Sequence, residues 1–109
     1  MKKTFYGRGI ILSGGPDSVK DKKSARAPNI VFDLEVPILG ICYGMQTMAI
    51  QLGGDARSAK KAEFGFAKIR AKNHSKLLAG INDEINSDGH ELLDVWMSHG
   101  IEVTKLPSG

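Results

Sequence analysis

Apolar residues in this chain of 109 residues fall in short clusters separated by glycine, proline and polar runs. Arg8-Gly9-Ile10-Ile11-Leu12-Ser13 reads as a short strand running into Gly14-Gly15-Pro16, a strong turn signal. Residues 17 to 29 are polar, with Pro28 near their end, and predict a surface loop. Asn29 to Leu34 fits a short helix with Asn29 near its cap. Val36-Pro37-Ile38-Leu39-Gly40-Ile41 is a continuous apolar run, the pattern of a strand buried on both faces. From Tyr43 to Leu52 the apolar residues Met45, Met48, Ala49 and Leu52 recur at helical spacing, and Gly53-Gly54 ends the run.

The second half is patterned differently. Ala62 to Lys72 carries Phe64, Phe66, Ile69 and Ala71 in rough alternation, which predicts a half-buried strand. Ser75 to Ile81 fits one helical turn, and Asn86-Ser87-Asp88-Gly89 a tight turn. Leu92 to Met97 and Ile101 to Leu106 predict two strands joined by a turn at Ser98-His99-Gly100. The strand–segment–strand–helix order of the first half predicts an α/β fold with a parallel sheet, and the second half an antiparallel addition. The first buried strand begins soon after the N-terminus, the chain ends in Leu106-Pro107-Ser108-Gly109, and few helices are available to cover the sheet. The expectation is a single partial domain over residues 1–109, with outer strands of the sheet missing.

Composition narrows the class. The chain is 41% hydrophobic and 25% charged, which is ordinary for a globular domain. Its single cysteine excludes an intrachain disulfide and a multi-cysteine metal site, and fits a reducing compartment. No apolar run approaches the roughly 20 residues that span a bilayer, and no apolar signal segment opens the chain. These features lead to the expectation of a cytoplasmic protein that does not engage a membrane. The net charge of +3 comes largely from Lys20 to Arg26 and Arg57 to Lys61. Neither segment contains an aromatic residue for stacking on bases, so both read as solvated surface rather than a nucleic-acid site.

The lone cysteine stands where the apolar strand meets the helix, in Gly40-Ile41-Cys42-Tyr43-Gly44. A residue wedged there makes a tight turn, and glycines on either side leave room for it. The pattern follows the nucleophile elbow Gly-x-Ser-x-Gly, with a thiol replacing the hydroxyl. A helix start beside Cys42 places positive partial charge next to the sulfur and favours the thiolate, the reactive form. Gly14-Gly15 after the neighbouring strand could direct a backbone N–H at a developing oxyanion, with Tyr43 N–H as the second donor. The absence of a following Gly-Lys-Ser/Thr argues against a phosphate loop.

A thiol nucleophile needs a general base, normally a histidine oriented by a carboxylate. His74, in Lys72-Asn73-His74-Ser75, and His90, after a polar turn, read as solvated surface residues. His99 lies in the predicted strand-to-strand turn, and no carboxylate is adjacent in sequence to orient it. The sequence thus offers a nucleophile and an oxyanion hole without a clear acid/base.

Ile11-Leu12-Ser13-Gly14-Gly15-Pro16, Gly40-Ile41-Cys42-Tyr43-Gly44-Met45-Gln46 and Val95-Trp96-Met97-Ser98-His99-Gly100 together resemble the class I glutamine amidotransferases. Cys-Tyr-Gly-Met-Gln, Trp-Met-Ser-His-Gly and Glu63-Phe64-Gly65-Phe66 bring the resemblance closest to the amidotransferase domain of glutamine-hydrolysing GMP synthases. The resemblance implies a flavodoxin-like parallel sheet and a glutamine substrate. Cys42 would attack the side-chain amide to form a glutamyl thioester and release ammonia. Gly15 and Tyr43 would supply oxyanion-hole N–H groups. Gly14, Gln46, Ser98, His99 and Gly100 would line the glutamine site, which makes His99 part of a substrate-binding turn rather than the base.

The resemblance further implies that ammonia passes to an ATP-pyrophosphatase domain or subunit that aminates XMP to GMP. ATP and magnesium belong to that domain, so no cofactor and no metal are expected in this chain. Three departures bear on the activity. The family's base and its orienting acid lie in a His-Pro-Glu segment beyond the last residue of this chain. Met1 to Tyr6 does not match the family's opening strand. Ile101 replaces an aspartate usual in GMP synthases. The expectation is an amidotransferase domain truncated at both ends, with impaired activity in isolation. The alternative is a non-enzymatic remnant that binds glutamine weakly or pairs with a synthetase partner or with itself through its sheet edges. A third possibility is a complete cysteine hydrolase that uses His99.

Overall fold

The short apolar segments Ile10–Leu12 (β1) and Ile38–Gly40 (β2) form the parallel pair predicted for the first half. The computed structural model describes residues 7–70 and 76–108. It divides into two units, residues 1–60 with 101–109 and residues 61–100.

In the first unit Ile10 lies opposite Ile38 and Leu12 opposite Gly40. The ladder continues at both ends, with Ile10 N–H donating to Pro37 O and Ile41 N–H to Leu12 O, each at 2.9 Å. Between the strands, Ile30–Asp33 forms the single-turn helix α1. Tyr43–Gln51 forms α2, which packs on β1 and β2. Gly53 N–H and Gly54 N–H bond to Ile50 O and Ala49 O as the helix ends, at 3.3 and 2.7 Å.

Burial in this unit departs from the sequence expectation. Val36 to Ile41 was expected to be covered on both faces, yet Leu39 and Ile41 are exposed, as is Ile11 of β1. The helix α2 covers one face of a two-stranded sheet, so alternate side chains of each strand have no cover among the described residues. Among the described residues the buried apolar side chains are Val19, Ala49 and Ala56. Val19 lies within the segment expected to be a surface loop.

The remaining strands are Asp55–Arg70 (β3), Glu84–Ile85 (β4) and Glu91–Lys105 (β5), in the spatial order β3–β5–β4. Residues 55–60 and 101–105 belong to the first unit and the others to the second. In the second unit Glu63 faces His99 and Lys68 faces Asp94. Numbers rising on β3 while they fall on β5 define an antiparallel pair. Strand β4 is also antiparallel to β5, with Glu84 opposite Leu92 and Ile85 opposite Glu91. The predicted turn at Asn86 to Gly89 closes this hairpin. Gly89 adopts φ +79° and its N–H reaches Asn86 O at 2.9 Å. The Asn86 side chain accepts from Asp88 N–H and His90 N–H.

Two expectations here are corrected. Ser98-His99-Gly100 is not a turn: β5 runs through it as one strand. Its extended form is held by pairing, with His99 bonded to Glu63 and Gly100 directly beside Ala62. Strand β3 starts at Asp55, seven residues before the predicted Ala62. Residues 76–80 form a turn, and the earlier part of the predicted helical turn, Ser75, lies outside the described residues.

Candidate active site

The candidate nucleophile is placed by a steric arrangement that glycines alone permit. A Cβ on Gly40 would stand 2.8 Å from Met45 Cα and 2.9 Å from Met45 N. One on Gly44 would overlap the carbonyl oxygen of Leu12. Strand β2, strand β1 and the first turn of α2 therefore come together with no room for side chains at these two positions. Between them the backbone reverses at Cys42, which adopts φ +49° and ψ −115°. A positive φ is costly for a residue with a side chain, of the order of 1–3 kcal/mol. The turn projects an exposed thiol at the helix start. Gly44 N–H bonds to Ile41 O at 2.9 Å and Gln46 N–H to Cys42 O at 3.0 Å, which locks the turn into the helix.

Gly14 lies against this thiol. A Cβ on Gly14 would fall 3.3 Å from Cys42 Cβ and 4.0 Å from its Sγ. A Cβ on Gly15 would meet nothing within 4 Å. The turn after β1 and the elbow after β2, both singled out in the sequence, are thus neighbours, as expected for adjacent parallel strands whose C-terminal ends share one side.

Gln46 is 8% exposed, and its Nε2 donates to Ile101 O at 3.2 Å. Cys42, Gly14, Gly15, Tyr43, Gln46 and Ile101 all lie in the first unit, and Ser98, His99 and Gly100 in the second. There Ser98 and Gly100 are exposed on β5, and His99 is half-buried. His99 Nε2 lies 3.2 Å from Glu63 Oε2, while its Nδ1 is buried without a partner. The carboxylate that sequence adjacency did not supply therefore comes from the neighbouring strand. His90 is half-buried rather than fully solvated, and His74 lies outside the described residues. An open hollow of about 280 Å³ in the second unit is lined by Glu63, Phe64, Phe66 and Met97 among others.

Sequence reasoning missed the residues that secure the loop beside Cys42. Arg26, assigned to a solvated basic segment, is half-buried. Its Nη1 donates to Tyr43 Oη at 2.8 Å and its Nη2 to Val19 O. A signal was present: Tyr43, Thr47 and Gln51 repeat every four residues, a polar stripe on a helix scanned only for its apolar positions.

Comparison with known proteins agrees with the geometry. The family profile described as "Glutamine amidotransferase class-I" matches residues 2–109. The chain belongs to the class I glutamine amidotransferases. Similar relatives include the protein named "GMP synthase [glutamine-hydrolyzing]" from Ruthia magnifica subsp. Calyptogena magnifica, 69% identical over 102 residues. That match covers 94% of this chain and 19% of the relative. The protein of the same name from Vesicomyosocius okutanii subsp. Calyptogena okutanii is 67% identical over 107 residues, covering 98% of this chain and 20% of the relative. The one from Azoarcus sp. is 63% identical over 105 residues, covering 96% and 20%. This amidotransferase chain spans about one fifth of the length of these relatives. Among its described residues, no helix is long and apolar enough to cross a membrane.

Proposed function

We propose that this chain carries the glutamine-attacking nucleophile of a glutamine-hydrolysing GMP synthase. The observation that supports this reading most directly is the exposed Cys42 thiol on its elbow with Gly14 packed against it. In the proposed step the Cys42 sulfur adds to the side-chain amide carbon of glutamine, and the carbonyl oxygen becomes an oxyanion. Gly15 N–H and Tyr43 N–H receive that charge. The carbon–nitrogen bond then breaks, the nitrogen takes the proton lost by the thiol, and ammonia leaves behind a glutamyl thioester. Water hydrolyses the thioester to glutamate and returns the thiol. Gly14 and Gln46, in the same unit as Cys42, line the glutamine site. The ammonia serves amination of XMP to GMP on an ATP-pyrophosphatase partner.

The proton transfer is the weak step for this chain alone. The resemblance gives the role of base to a His-Pro-Glu segment that the given sequence does not contain, and none of His74, His90 and His99 has that context. Loss of a member of a catalytic triad costs several orders of magnitude in rate. Slow ammonia release therefore goes with a reactive Cys42.

Mass spectrometry after treatment with a chloroketone analogue of glutamine tests the reading. One adduct on Cys42, suppressed by glutamine and not by asparagine, is the expected result. Absence of glutamine protection overturns the assignment, and ammonia release in the ordinary enzymatic range of about 1–10³ per second overturns the account of the slow step.

The exposed Ile11, Phe64, Phe66 and Trp96 favour a second reading, a non-enzymatic chain that associates with a synthetase partner or with itself. A monomer at high concentration with no partner retained counts against it.

A further inference from the structure

Gly14 and Gly15 are the least constrained residue type in a backbone, so whatever fixes them beside Cys42 must come from their surroundings. On one side the anchor is the strand ladder, through the Ile41 N–H bond to Leu12 O. On the other side the loop closes at Ala25, Arg26 and Ala27, and each of these three is tied to α2. Tyr43 Oη donates to Ala25 O while it accepts from Arg26 Nη1. Arg26 Nη2 reaches back to Val19 O, in the middle of the loop, whose side chain is buried. Gln51 brackets the backbone of Ala27: Oε1 accepts its N–H at 3.1 Å and Nε2 donates to its carbonyl at 2.8 Å. Thr47 Oγ1 lies 3.1 Å from Gln51 Oε1 and so orients that amide. Residues 43, 47 and 51 occupy one face of α2, the helix that begins at Cys42 itself.

We propose that Arg26, acting through the Tyr43 hydroxyl, and Gln51 are positioning residues that hold the Gly14–Gly15 turn in register with Cys42. The inference rests on the proposed role of Cys42 and adds to it the device that aligns the oxyanion donors. One helix then carries both the elbow and the clasp, so the thiol and the turn cannot shift independently. Tyr43 has two separable parts: its N–H faces the oxyanion, and its hydroxyl holds the loop that brings the second donor. The hydrogen bonds of these side chains go to the loop and to one another. Their effect is confined to the position of a backbone N–H, where a displacement of about 1 Å costs roughly 10²-fold in rate.

The test compares two electrophiles on the whole chain. With a chloroketone analogue of glutamine, the sulfur first adds to the carbonyl, which draws on the oxyanion donors, and then forms its lasting bond to the chloromethyl carbon as chloride leaves. Iodoacetamide reacts by direct displacement and needs only an accessible thiol. In Arg26→Ala, Gln51→Ala and Tyr43→Phe, the chloroketone rate constant is expected to fall about 10–100-fold while the iodoacetamide rate stays within about twofold. Arg26→Lys, which keeps the charge but loses the two-pronged donor, is expected to recover only part of the loss. An unchanged ratio of the two rates overturns the proposal. So does a parallel change in both rates, which marks a merely structural role. Tyr43→Phe removes a single oxygen and keeps the comparison available if an alanine variant does not fold. If the unaltered chain shows no glutamine-protected chloroketone reaction at Cys42, the role of Cys42 itself fails, and that outcome is distinct from loss of the variant effect.

Discussion

A side chain on Gly44 has no space: its Cβ would overlap the carbonyl oxygen of Leu12 and stand 2.8 Å from that residue's own Cβ. The carbonyl cannot retreat easily, because it accepts Ile41 N–H at 2.9 Å in the parallel ladder. Gly44→Ala therefore forces α2 away from β1 and displaces the elbow. A loss of about 3 kcal/mol or more is expected, at the upper end for overpacking, because backbone is obstructed on both sides. Gly15→Ala, with nothing within 4 Å of the new methyl, is expected to change stability by no more than about 0.5 kcal/mol. Urea denaturation midpoints of the two variants provide the check.

Cys42 stands at φ +49° because the elbow demands it, not because cysteine favours it. Removing the side chain down to Cβ leaves that cost in place, while removing Cβ relieves it. Cys42→Gly is therefore expected to be more stable than Cys42→Ala by about 1 kcal/mol, and both lose all labelling by the glutamine analogue. Equal thermal midpoints for the two variants would contradict strain at this residue. The comparison asks whether local stability was surrendered to present the thiol.

The strand–elbow–helix segment was legible in the sequence because its signals are local. Glycines mark the close approaches, an apolar run marks β2, and the Gly14-Gly15 turn follows directly from β1. What escaped was non-local. Asp55 to Lys61 has no apolar alternation, and its extended form comes from pairing with β5. Ser98-His99-Gly100 carries turn-forming residues, yet the Glu63 partner of His99 and the approach of Ala62 to Gly100 keep it straight. The depth of burial was overestimated for Leu39 and Ile41, because an apolar run states what a strand needs and not what is available to cover it. Arg26 was misread because its partners, Tyr43 Oη and Val19 O, lie 17 and 7 residues away.

Lys68 joins three strands of the second unit, with Nζ 2.7 Å from Glu84 Oε1 and 3.8 Å from Asp94 Oδ1. The hydrogen bond that Lys68 donates to Glu84, with the nearby charge of Asp94, raises the amine above its ordinary value of 10.5. A base whose folded pKa is raised stabilises the fold fully below the unfolded value, and that contribution disappears as pH climbs through the folded value. The stability difference between the unaltered chain and Lys68→Met is therefore expected to be constant at neutral pH and to shrink above about pH 10.5. It should also shrink in about 1 M salt, since these side chains are solvent-exposed. Denaturant midpoints across pH and ionic strength decide it, and a difference that persists at alkaline pH would remove the ion pair as its source.

Trp96 is 78% exposed on β5, and its face of the sheet also presents Phe64 at 73% and Phe66 at 62%. The two-residue period puts Trp96, Phe66, Phe64 and the paired Lys68 and Asp94 on one side, with Glu63 and His99 on the other. Large exposed aromatics on one face are a signature of an association surface. Trp96 is the sole tryptophan, so its fluorescence reports this face alone. In a dilute monomer it should be readily quenched by acrylamide. If the face associates, quenching should fall as concentration rises, in step with an increase in sedimentation coefficient, and Phe66→Lys, which keeps the tryptophan reporter, should abolish both changes. A chain that sediments as a monomer throughout, with Trp96 fully quenchable, is expected if the face stays bare. That result would weigh against the associating reading and favour the proposed role of Cys42.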